Sequence, residues 1–161
     1  MEKINQKVMF DTLMPLITEK LEAEGAVGIL SMGNSMYPLF RHQKDQVCLR
    51  SAEGEALKKY DMILYQRENG QYVLHRIVGI GEKGFVLRGD GQLENEYPIR
   101  AEQVIAKVAR FTRNGKEYTC SHPGYRVYVC VWTHTVMLRK VWRKGKNLLW
   151  RVVNYTKKYI K

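Results

Sequence analysis

Acidic side chains are missing from the last quarter of this chain. All 16 Asp and Glu lie at or before Glu117, whereas ten of the 27 Lys and Arg fall in residues 122–161. The first 121 residues are near neutral, with 17 basic against 16 acidic side chains, and the last 40 carry positive charge only. Cysteine is also scarce. Cys48, Cys120 and Cys130 are odd in number and form no C-x-x-C pair, which excludes a disulfide scaffold, speaks against structural zinc and fits a reducing compartment. Long apolar runs are lacking as well. The longest candidate, Tyr125 to Leu138, is interrupted by Arg126, Thr133, His134 and Thr135, so no spanning helix is expected. Residues 1–26 alternate charge with apolar groups and lack the core of a secretory signal. The composition is 45% hydrophobic and 27% charged over 161 residues, which excludes wholesale disorder and suits one domain with an appendage. No internal repeat or low-complexity segment is present.

Within that frame the periodicity divides the chain in three. In residues 1–25, Ile4, Val8, Leu13, Leu16, Ile17 and Leu21 recur at helical spacing, and Gly25 is placed to end the helix. Its mixed-charge polar face favours a helix packed on the body over a membrane or partner helix. Residues 26–121 then alternate with period two. Strands are expected at 26–31, 46–50, 61–67, 71–80, 85–88, 104–112 and 116–119, with Glu68-Asn69-Gly70, Gly81 to Gly84 and Asn114-Gly115 as turns. The fold class is therefore mainly β, a curled sheet or partly open barrel, with an N-terminal amphipathic helix and a basic C-terminal helical tail at 122–161.

One segment departs from the strand-turn rhythm, Ser31-Met32-Gly33-Asn34-Ser35-Met36-Tyr37-Pro38-Leu39. Gly33 and Asn34 tolerate unusual backbone angles and Pro38 stiffens the exit. Such a turn can hold a serine hydroxyl outward and aim N–H groups at one point, as a nucleophile and oxyanion hole require. A Gly-Asn turn with an incidental serine is the other reading. Among the four histidines, His75 lies in a strand and shares a face with Val73 and Ile77, either as a core residue or as a base suited to neutral pH. His42, His122 and His134 fall in polar or tail segments and read as surface residues. Asp90, between Gly89 and Gly91, is a turn aspartate or the acid that orients the imidazole.

Together, Gly33-Asn34-Ser35-Met36-Tyr37-Pro38, Tyr60 to Tyr65, Leu74-His75-Arg76-Ile77-Val78-Gly79 and Phe85 to Asp90 resemble, in order and spacing, the signal peptidase I family and the related LexA-like self-cleaving repressors. The likeness covers residues 28–110. With His75 where many relatives have lysine, it is nearest to the Ser-His branch of archaeal and endoplasmic-reticulum type. The resemblance implies a signal-peptidase-type fold and a serine-type endopeptidase without metal or cofactor, cleaving a leader, signal or precursor peptide. Ser35 would be the nucleophile, His75 the general base and Asp90 the orienting acid. Glu94 and Glu96 read from the residues as solvated; for a second downstream acid common in that branch, Glu96 is the nearest match and a weaker one than Asp90. Asn34 and Met36 would serve the oxyanion and the substrate, which such enzymes bind as an added strand. Gly33 stands where many members supply a hydroxyl, which leaves the second oxyanion donor unidentified. Signal peptidases carry transmembrane anchors and the repressors a DNA-binding domain; neither is expected here, since no run is long and apolar enough and about 25 residues precede the first strand. The other function class is a non-catalytic β module whose tail binds nucleic acid or a partner.

In the tail, Trp132, Trp142 and Trp150 stand among basic residues. Leu148, Val152, Tyr155 and Tyr159 recur at helical spacing, with Lys146, Arg151, Lys157 and Lys158 mostly elsewhere around the helix. This pattern predicts a helix in an anionic membrane interface, where each cation contributes about 1 kcal/mol. Packing on the body and nucleic-acid binding by charge are its competitors. Gly145 is expected to separate two helical segments. A peripheral position on the cytoplasmic face of a membrane follows as the expected location.

Overall fold

A computed structural model describes residues 2–159, with side chains for 12–146, Trp150 and Tyr155. Helix α1 (Glu2–Glu24) leads into β1 (Ala26–Leu30), β2 (Gln46–Ser51), β3 (Met62–Gln66), β4 (Tyr72–Gly81), β5 (Gly84–Arg88), β6 (Glu96–Ile99), β7 (Val104–Arg113) and β8 (Lys116–Thr119). Helices α2 (Pro123–His134) and α3 (Val136–Tyr159) follow. The strands form one antiparallel sheet in the order β1-β2-β7-β3-β4-β5-β6, with β8 on β7. It is not closed.

Seven of these strands fall where alternation and turns place them. The eighth, β6, was not expected, because Pro98 lies in the middle of it. As an edge strand it loses no ladder bond to the missing N–H. Register shifts at Cys48/Leu49 and Leu64/Tyr65 bend the sheet where β7 meets β2 and β3.

Strand β3 is buried on both faces and separates two cores. Met62 and Leu64 join the larger one with Val47, Leu49, Val108 and Phe111. Ile63 and Tyr65 join Ile77, Leu87 and Ile99 in the smaller. Helix α1 packs on β1, β2 and β4 through Met14, Ile17 and Leu21. Leu13 and Leu16, expected in its apolar stripe, are exposed instead, and Met14 takes the buried place. The side chains of Ile4 and Val8 lie outside the described residues.

Residues 122–161 behave in two ways. Helix α2 is capped by His122, whose ring accepts the Gly124 N–H, and it drives Tyr125 and Val129 into the larger core. The helical break falls at Thr135, the C-cap of α2, and not at Gly145, which is inside α3. Glycine lowers helix propensity by about 1 kcal/mol but does not interrupt the hydrogen-bond ladder as proline would. The Leu148, Val152 and Tyr159 side chains lie outside the described residues. Among the described residues, no helix is long and apolar enough to cross a membrane.

Candidate active site

The serine loop is anchored from below. Gly33 adopts φ +75°, which glycine tolerates, and its N–H donates to His42 Nδ1 at 2.9 Å. The Tyr37 N–H donates to the Asn34 carbonyl and the Phe40 N–H to the Met36 carbonyl. Met36, Leu39 and Phe40 are buried in the larger core, while Ser35 is half-buried. Asp45, fully buried, holds the Arg41 N–H and guanidinium and closes the loop. His42 is thus a structural partner of the Ser35 turn, and its position in a polar segment concealed that role.

The Gly89-Asp90-Gly91 segment runs behind the loop. The Gly91 N–H donates to the Ser35 carbonyl at 2.8 Å. A β-carbon on Gly89 would lie 2.4 Å from the Ser35 carbonyl oxygen and 3.0 Å from His75 Nε2. One missing methyl group therefore separates the serine backbone from the imidazole. Only glycine permits that approach.

His75 is completely buried on the β3–β4 face toward the smaller core. Its Nδ1 lies 3.1 Å from the Tyr65 hydroxyl and 3.3 Å from Glu96 Oε1. The Tyr65 hydroxyl donates to Glu96 Oε2 at 2.7 Å, which uses its one proton. Nδ1 must then carry a hydrogen, shared between the Tyr65 oxygen and Glu96. Nε2 is left with its lone pair, buried and without a hydrogen-bond partner. Burial pushes the imidazole pKa down to about 4 against the opposing pull of Glu96. At neutral pH the ring is therefore uncharged. Arg67 Nε donates to Glu96 at 2.8 Å, and a second Arg67–Glu96 contact reinforces the pair. Burial pushes the Glu96 pKa up, but the Arg67 and Tyr65 hydrogen bonds outweigh it and hold the carboxyl below its ordinary range.

Asp90 is not the acid on His75. Its side chain turns away from the imidazole into a buried two-pronged pair with Arg76, at 2.8 Å and 2.7 Å, and it also accepts from Tyr128 at 3.4 Å. Arg76 continues to Tyr125 and the Tyr60 carbonyl. With glycine on each side, Asp90 is the one side chain in its turn, and it is the carboxylate that neutralises the buried Arg76. Glu96 occupies the position beside His75 instead. Tyr65 and Arg67, which complete this group, were not singled out from sequence. Tyr65 lies in one of the blocks that carry the resemblance but with no role attached, and Arg67 follows directly after β3.

A cleft of about 320 Å³ opens beside Ser35 and His75. It is lined by Ile29, Leu30 and Met32 on one side and by Tyr72 to His75 on the other, with Asn34 and Met36 at the loop. Among the described residues, strand β1 pairs only with β2, and β4 pairs with β5 only from Arg76 onward. Two strand edges therefore flank the cleft. They are separated in the sheet by β2, β7 and β3, so the sheet must curl to bring them together. Among the described residues the Ser35 N–H has no backbone partner, and the Asn34 side chain is exposed at the same rim.

No protein-family model matches this chain, and no curated protein matches its sequence. The function therefore rests on these residues. Among the described residues no cluster of His, Cys, Asp or Glu could hold a metal ion.

Proposed function

We propose that this chain is a serine endopeptidase of the signal peptidase type, with a fold of that family, acting on an extended leader, signal or precursor peptide. The observation that carries the proposal is His75 Nε2: buried, unprotonated, unpartnered, and one methyl group's width from the Ser35 backbone. An orphaned buried acceptor is costly and calls for an explanation, and a serine hydroxyl turning toward it supplies one. Ser35 attacks the scissile carbonyl while Nε2 takes the hydroxyl proton. The developing imidazolium is stabilised through Nδ1–H by Glu96, itself held by Tyr65 and Arg67. The same proton passes to the leaving amine, and water completes hydrolysis of the acyl group. The Ser35 N–H and Asn34 serve the oxyanion. A peptide strand between the edges of β1 and β4 meets backbone partners on both sides, with Met36 beneath it.

A binding module on the same fold is favoured by one fact: Ser35 Oγ is not hydrogen-bonded to His75. In free enzymes such contacts often tighten only with substrate. Mass spectrometry of a peptide library incubated with wild-type, Ser35→Ala and His75→Ala proteins separates the two. Cleavage that falls on the order of 10⁴-fold in both variants supports the peptidase. Cleavage unchanged in Ser35→Ala, or binding without cleavage by the wild type, rejects it.

A further inference from the structure

Helix α3 is amphipathic in the reverse sense for a helix lying on a protein. Charge faces the body: Arg139 donates to the Asp90 carbonyl at 2.9 Å and lies over the Trp132 ring, and Lys140 pairs with Glu94 at 3.4 Å. The apolar residues face outward. Met137, Leu138, Val141 and Trp142 are 67%, 70%, 70% and 76% exposed. Their spacing makes one strip, which Gly145 extends, and Lys144 and Lys146 lie about 100° to either side of that glycine. Val127 and Val131, one turn apart on α2, are exposed as well.

An occupant of this surface must accept an apolar strip and cations on both its flanks. Nucleic acid satisfies the cations but offers nothing to four exposed apolar side chains. A second copy would bring another segment of ten cations and no acid. An anionic bilayer satisfies both requirements, with the strip at the headgroup–acyl boundary and the lysines on lipid phosphates. We propose that the outward face of α3 docks this protein on an anionic membrane surface. Arg139 and Lys140 tie the docked helix to residues 90–96, which hold Ser35 through Gly91 and His75 through Glu96. The docking surface stands independently of the peptidase reading.

The test is co-sedimentation of the full chain with vesicles of phosphatidylcholine alone or mixed with phosphatidylglycerol, at low and high salt. Binding to the mixed vesicles, weakened by salt and accompanied by a blue shift of tryptophan emission, is expected. Leu138→Asp, at an exposed position that leaves the fold intact, should cut partitioning on the order of tenfold or more. The double variant Lys144→Glu, Lys146→Glu should remove the preference for anionic lipid. Three results would overturn the proposal: unchanged partitioning of Leu138→Asp, duplex DNA binding without vesicle binding, or a dimer abolished by Leu138→Asp without vesicle binding.

Discussion

Two carboxylates near one imidazole have different duties, set by what else each touches. Glu96 shares Tyr65 and Arg67 with His75, while Asp90 is spent on Arg76. Their substitutions should therefore separate. Asp90→Asn leaves the buried Arg76 charge uncompensated and should cost about 3–5 kcal/mol, read as a lower urea midpoint. Glu96→Gln should instead lower kcat on the order of 100-fold or more, with a smaller change in stability. Under the proposed mechanism, the acid limb of kcat/KM reports protonation of His75 in the free protein. It should lie well below 6.5, toward 4. Because Glu96 pulls that value upward, Glu96→Gln should move the limb lower still, not higher.

At the level of elements, the site is a meeting of three pieces: the loop after β1, the start of β4, and the Gly89–Gly91 turn after β5. The turn sets the spacing between the other two. In Gly89→Ala the new β-carbon meets a backbone oxygen, which cannot swing aside as a side chain would. A displacement of about 1 Å in the loop can cost on the order of 100-fold in rate. Single-turnover kinetics of Gly89→Ala should show that loss. Its urea midpoint should fall as well, because the buried backbone clash can be relieved only by displacing the loop.

For the whole molecule, the depressed His75 value is a statement about stability. The folded ring resists protonation until about pH 4, whereas the unfolded ring takes a proton near 6.5. Between those values the unfolded chain binds more protons, so stability rises with pH across the window and is lost on acidification. The contribution is on the order of 3 kcal/mol, complete above pH 6.5 and gone below 4. Urea unfolding at pH 7 and pH 5 should show the decline. His75→Gln should flatten this part of the profile.

Local pattern alone determined much of this protein. Period-two alternation and Asn-Gly turns located seven strands, Gly25 closed α1, and the distribution of charge marked the cationic end. The Gly33 to Pro38 segment and His75 stood out by residue type, but each alone also read as an ordinary turn or a core histidine, and only the family resemblance joined them into one expectation. Which acid serves the imidazole was not legible, because Asp90 and Glu96 are six residues apart and the choice depends on Arg76 and Arg67 claiming one each. The burial of Tyr125 and the outward turn of Trp142 were likewise decided in three dimensions. Periodicity tells which residues share a face, but only the folded sheet, by its curl and its buried charges, decides what that face meets.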